Sequence, residues 1–130
     1  MASAYTHKKL TEVDDSAPKF GFEEVQEARF ATKDLEAEET GVSHLRVKPG
    51  KRQGFAHKHD EAEEVYVVVR GSGRVKLDDD ILEITELDAI RVAPGVTRQF
   101  EGGPDGLELI AVGARHDGDG EILPGWWSED

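Results

Sequence analysis

FAHKHDEAEEVYVVVRGSG, residues Phe55 to Gly73, decides the fold of this chain and raises the question of its function. It carries His57 and His59 two positions apart, then Glu64 at the head of a β-branched run, then Gly71. Side chains alternate across a strand, so both imidazoles point to one side. Glu64 shares the parity of Tyr66 and Val68 and is preferred over Glu63 as the carboxylate that faces them. The unbroken apolar run behind it points to burial on both faces. Two imidazoles and a carboxylate converging on one point are half of a transition-metal site. Set among Lys58, Asp60 and Glu61, the same histidines also read as solvent-exposed residues of a polar strand.

Working outward, turn residues cut the chain into short strands. Val42 to Val47 ends at Pro49-Gly50, Phe55 to His59 follows, and Glu64 to Arg70 is bounded by Gly71-Ser72-Gly73. Arg74 to Leu77 and Ile81 to Ile84 flank Asp78-Asp79-Asp80 and read as a hairpin. Ala89 to Val92 stops at Pro94-Gly95, and Thr97 to Glu101 and Leu107 to Val112 flank a glycine-rich break. About eight strands at roughly 8–12-residue spacing, with no long helix, predict an all-β sandwich or barrel. Phe22 to Phe30 fits helix and strand periods equally, and Thr32 is expected to cap a helical turn over Lys33 to Glu36.

The chain has 130 residues and reads as one domain. Residues 1–22 are expected to form an N-terminal arm, 42–112 the barrel core and 113–130 a C-terminal tail. Without cysteine there is no disulfide, zinc-thiolate site or cysteine nucleophile. The first residues lack the apolar core of a signal peptide, and no apolar run approaches the roughly 20 residues of a membrane helix. A cytoplasmic protein without membrane contact is the expectation. A net charge of −12 argues against nucleic-acid partners, which need clustered Lys and Arg.

These motifs resemble the cupin superfamily. In its first motif a glycine precedes His-x-His, then a glutamate and a second glycine. Here Gly50 stands one residue further from His57 than is usual, four residues separate His59 from Glu64, and six separate Glu64 from Gly71. The second motif falls on LDAIRVAPGVTRQF, Leu87 to Phe100. Asp88 and Phe100 match it, Leu87 replaces its first glycine, and Ala93-Pro94-Gly95 replaces Pro-x-Gly. Arg98 stands where the family has its third histidine. The resemblance runs from Val42 to Val112 and is strongest to small single-domain cupins of unassigned function. It implies a double-stranded β-helix, or jelly-roll, barrel that binds any ligand inside and is commonly a homodimer.

The residues support three functional readings. In the first, a small molecule occupies a polar interior pocket. Arg98 pairs with Glu64 or binds a ligand carboxylate or phosphate, while Tyr66 and Gln53 are further ligand-binding candidates. In the second, His57, His59 and Glu64 hold a divalent metal (Fe, Mn, Ni or Zn) in a dioxygenase or isomerase. Arg98 leaves that ligand set incomplete, because a guanidinium has no lone pair to offer. In the third, the protein is a structural or regulatory dimer with a vestigial site. His44 reads as a surface or satisfied histidine. Gly118, Asp119 and Glu121 read as a turn, since they lack the spacing of a calcium loop. Trp126-Trp127 is expected to pack over an apolar barrel end or a dimer contact.

Overall fold

Residues 4–114 and 118–128 are described by the computed structural model. Residues 1–3 of the arm, and 115–117 and 129–130 of the tail, lie outside the described residues. Eight strands follow one another: β1 (Gln26–Phe30), β2 (Thr40–Val47), β3 (Ala56–His59), β4 (Glu64–Leu77), β5 (Asp80–Thr85), β6 (Ala89–Val92), β7 (Arg98–Ala114) and β8 (Gly120–Leu123). They curl into a jelly-roll barrel with every pairing antiparallel. Strand β7 is the hub and pairs with β2, β3 and β4. Among the described residues no helix is long and apolar enough to cross a membrane.

Two expected breaks are not breaks. Gly71-Ser72-Gly73 does not end a strand, because β4 runs on to Leu77 with register shifts at the glycines. A Cβ at Gly71 would lie 2.1 Å from the Gly106 carbonyl, and one at Gly73 2.0 Å from that of Glu101. These glycines therefore let two long strands approach and bend, where turn chemistry would have separated them. In the same way β7 passes through Gly102 to Gly106. The hairpin lies where the aspartates predict it, with Leu77 paired to Asp80 and Asp78 at φ 51°.

The ambiguous Phe22 to Phe30 resolves into β1, and the polar tail contributes β8 to the edge of β3. A single helical turn forms at Lys33 to Glu36, Leu35 donating to the Ala31 carbonyl and Glu36 to that of Lys33, but the Thr32 hydroxyl does not cap it and instead accepts the Val42 amide. The arm forms two short 3-10 turns, Leu10–Glu12 and Ala17–Phe20, and buries Val13 and Ala17. The core is one cluster of inward side chains, including Val68, Val75, Val92, Phe100 and Leu109. Close packing of these β-branched and aromatic groups fills one end of the barrel and leaves the other to polar residues.

Candidate functional site

Alternation along three strands builds the site. On β3, His57 pairs with Arg98 of β7, so the two residues stand side by side. On β4, Glu64 and Tyr66 point inward, while Glu63 points out to Arg91 at 3.3 Å. Arg98 then reaches across the interior. Its Nη2 donates to Glu64 Oε1 at 2.7 Å, its Nε to the Tyr66 hydroxyl at 3.2 Å, and its Nη1 to the Val96 carbonyl at 2.7 Å. Every nitrogen of the guanidinium has an acceptor, and the side chain is wholly buried.

Contacts converge on one carboxylate oxygen. Glu64 Oε1 accepts from Arg98 and, at 2.6 Å, from the Tyr66 hydroxyl. His59 Nε2 lies 3.3 Å and His57 Nε2 3.7 Å from the same atom. Oε2 has no protein hydrogen bond among the described residues. Tyr66 gives its only proton to Glu64, so its 3.3 Å contact with His57 Nε2 requires Nε2–H as donor and leaves the His57 lone pair on Nδ1.

The charges follow from this wiring. Burial alone would raise the Glu64 pKa, but hydrogen bonds from His57, His59, Tyr66 and Arg98 outweigh it and hold the carboxyl far below its usual range. Burial lowers His57, and the Arg98 charge acts in the same direction, against the raising effect of Glu64. Burial and the Glu64 charge push the Tyr66 phenol up. Burial would lower Arg98, but Tyr66 and Glu64 raise it. The network therefore sets an ionised Glu64 against a charged Arg98, with His57 and Tyr66 held neutral.

A residue read as part of a turn has a larger task. The Asp119 carboxylate accepts the backbone amides of Asp60, Glu61 and Ala62, each at 2.9 Å, and clamps the loop between β3 and β4. Burial opposes its ionisation, but these amides and nearby His59 lower its pKa. Its Oδ2 stands 3.6 Å from His59 Nδ1, a buried atom without a hydrogen bond. No spacing rule marks this long-range contact between the tail and a loop about sixty residues earlier; only the closure of β8 onto β3 creates it.

The other candidates lie elsewhere. Gln53 is buried against β7: its Oε1 accepts the Phe100 amide and its carbonyl accepts Gln99 Nε2, which makes it a strand-docking residue away from the cavity wall. His44 lies buried on the outer face, with Nε2 2.6 Å from Glu108 Oε2. Trp127 is buried beneath Arg52 and Arg74 on the barrel exterior, and Trp126 stacks on Lys76.

Above the network opens a cavity of about 840 Å³. His57, His59, Glu64 and Tyr66 form its polar floor. The arm and tail supply its mouth through Lys19, Phe20 and Ile122, joined by Phe30 and Lys33. Arg98 does not line it.

The model of the cupin domain matches residues 43–113, and the chain belongs to the cupin family. Similar solved structures include a cupin protein from Bacteroides fragilis, 19% identical over 90% of this chain and 89% of that one, with TM-score 0.69. An uncharacterized conserved protein with a double-stranded β-helix domain from Klebsiella pneumoniae is 16% identical over 94% and 98%, with TM-score 0.72. Oxalate decarboxylase from Bacillus subtilis is 21% identical over all of this chain and 35% of its own, with TM-score 0.76. These likenesses show the fold alone. No curated protein sequence matches the chain.

His57, His59 and Glu64 form a group that could hold a metal ion, with ligand atoms all within 4.8 Å of one another. The spacing suits a divalent ion. Glu64 Oε1 is already held by Arg98 and Tyr66, so Oε2 is the oxygen left for an ion, and the Arg98 charge beside it weakens that binding.

Proposed function

We propose that this cupin binds a small molecule in its interior cavity, with Arg98 supplying the positive charge that holds Glu64 in place. The 2.7 Å Arg98–Glu64 contact carries this reading. A guanidinium that satisfies the buried carboxylate does the electrostatic work of a cation without offering a coordination site. His57 and His59 then act as hydrogen-bonding groups toward the ligand, and neutral His57 can accept a proton. The homodimer is part of the same proposal, and the molecular mass in solution checks it.

A second reading rests on the spacing of the His57, His59 and Glu64 donors. There the two histidines and Glu64 would hold a divalent ion, which would supply Lewis-acid chemistry. One experiment separates the two: metal content of protein purified without a His-tag, for wild type and for His57→Ala with His59→Ala. The pocket reading expects no stoichiometric metal in either, and expects Arg98→His to create measurable divalent-ion affinity. Stoichiometric metal in wild type, lost in the double variant, overturns it.

A further inference from the structure

Resting on that pocket reading, we propose that the ligand presents a non-anionic, hydrogen-bond-donating head, a hydroxyl or N–H, on an apolar body, and that the site rejects carboxylates and phosphates. An arginine inside a cavity ordinarily argues for an anionic ligand. Here the geometry reverses that expectation. The Arg98 nitrogens are all engaged, its side chain has no exposed surface, and it is absent from the cavity wall. Its charge is spent on Glu64.

What faces the ligand is the other side of that carboxylate. Glu64 lines the floor, with Oε2 uncommitted among the described protein groups. An incoming carboxylate or phosphate would set its own acceptor oxygens against the acceptor-only Oε2 edge of this paired carboxylate, while a hydroxyl or N–H would donate to it. The mouth adds no net attraction for anions, since Lys19 and Lys33 share it with Asp14, Asp34 and Glu121. The whole chain carries −12.

The body of the ligand is read from the walls. Phe20, Phe30 and Ile122 are exposed at the mouth, and Phe55 lines the passage behind them. The volume lies within the range of about 300–1,000 Å³ usual for small-molecule sites. Aromatic and aliphatic side chains between the polar floor and a mouth of mixed charge suit an amphipathic molecule that enters head first.

The test uses the full chain and three probes at neutral pH: 4-ethylphenol, 4-ethylbenzoate and oxalate. The first two share a body and differ in head charge, since a phenol ionises only near pH 10 and a carboxylic acid near pH 4. Calorimetric titration should show 4-ethylphenol binding wild type at least roughly tenfold more tightly than 4-ethylbenzoate, a difference of about 1.4 kcal/mol, with no binding of oxalate. Phe20→Ala with Phe30→Ala, two exposed positions outside the polar floor, should weaken the phenol several-fold. Glu64→Gln leaves Arg98 uncompensated and should reverse the order, so that 4-ethylbenzoate and oxalate gain affinity. Should that variant fail to fold, the wild-type ratio and the phenylalanine variant decide. Benzoate or oxalate binding wild type as tightly as the phenol overturns this inference and leaves the pocket reading standing. Binding of none of the three removes the pocket reading, and this inference with it.

Discussion

Two clusters in this molecule use the same side chains and do different things. Inside the barrel, Arg98 pairs with Glu64 at 2.7 Å and lies 5.9 Å from the Tyr66 ring centroid. Outside, Arg52 and Arg74 both pair with Glu101 at 2.7 Å, and Arg52 stacks 4.2 Å from the Trp127 ring centroid. Each joins guanidinium, carboxylate and aromatic ring, with one arginine inside and two outside. The strands separate them by parity: Arg98 and Phe100 point inward from β7, while Glu101 points out beside Arg74 of β4. The inner cluster lies at a cavity floor, where removing one charge strands another in low dielectric. The outer cluster remains partly solvated and fastens the tail to the barrel, Arg52 Nη1 donating to the Trp127 carbonyl at 3.0 Å. Exposure, more than chemistry, makes one a site and the other a clasp.

The largest expected effect breaks the inner pair. Arg98→Met should cost about 3–5 kcal/mol in a denaturant titration, because Glu64 loses its counter-charge. A loss comparable to that of a surface pair would erase the contrast. Next is Asp119→Ala, which strips the carboxylate from three backbone amides and should lower the denaturation midpoint, less than Arg98→Met does, while loosening the loop before β4. Hydrogen exchange at Glu61 and Ala62 should rise in this variant more than in the barrel core.

Trp127→Ala removes the buried ring of the clasp and should cost about 2 kcal/mol, with the strands of the barrel retained by circular dichroism. Glu101→Gln should be mildest, at about 1 kcal/mol or less, and should shrink further at high salt, as partly exposed ion pairs do.

Acid sharpens the same contrast. Hydrogen bonds from Arg74 and Arg52 hold the Glu101 pKa below its unfolded value of 4.5. Stability from such a group is fully present above the unfolded pKa and is lost as pH falls toward the folded one. Glu64 obeys the same sign but is held much lower. Falling pH should therefore release the tail before the inner pair. The chain has only two tryptophans, both in the tail, so their fluorescence reports the clasp alone. A fluorescence transition coincident with loss of the barrel's far-ultraviolet signal would show that the two clusters do not respond separately.

Much of this was legible in the residues. Spacing put His57, His59 and Glu64 on one side of their strands, and turn chemistry placed the Asp78-Asp79 hairpin. The departure at Leu87 was legible too: it occupies φ 68°, a conformation glycine adopts freely, in a turn closed by Asp88 accepting the Thr85 amide. The long strands were not legible, because Gly71 to Gly73 and Gly102 to Gly106 carry turn residues for reasons of close approach between chains. Strand β8 was hidden as well: four residues in a polar tail have too little periodicity to read. Gln53 drew attention by its nearness to the histidines, yet it lies before β3, where the Arg52–Glu101 bridge sets its amide against the Phe100 backbone.

Sequence by itself determined the barrel and the inward set, since period-2 alternation and turn punctuation are local properties of the chain. It also placed an arginine where the family's third histidine would stand. Only the tertiary structure decided what that arginine does. Burial, the partners brought by β4 and the loop held by Asp119 come from segments distant in sequence. Together they turn Arg98 from a potential ligand-binding cation into the internal counter-charge of Glu64.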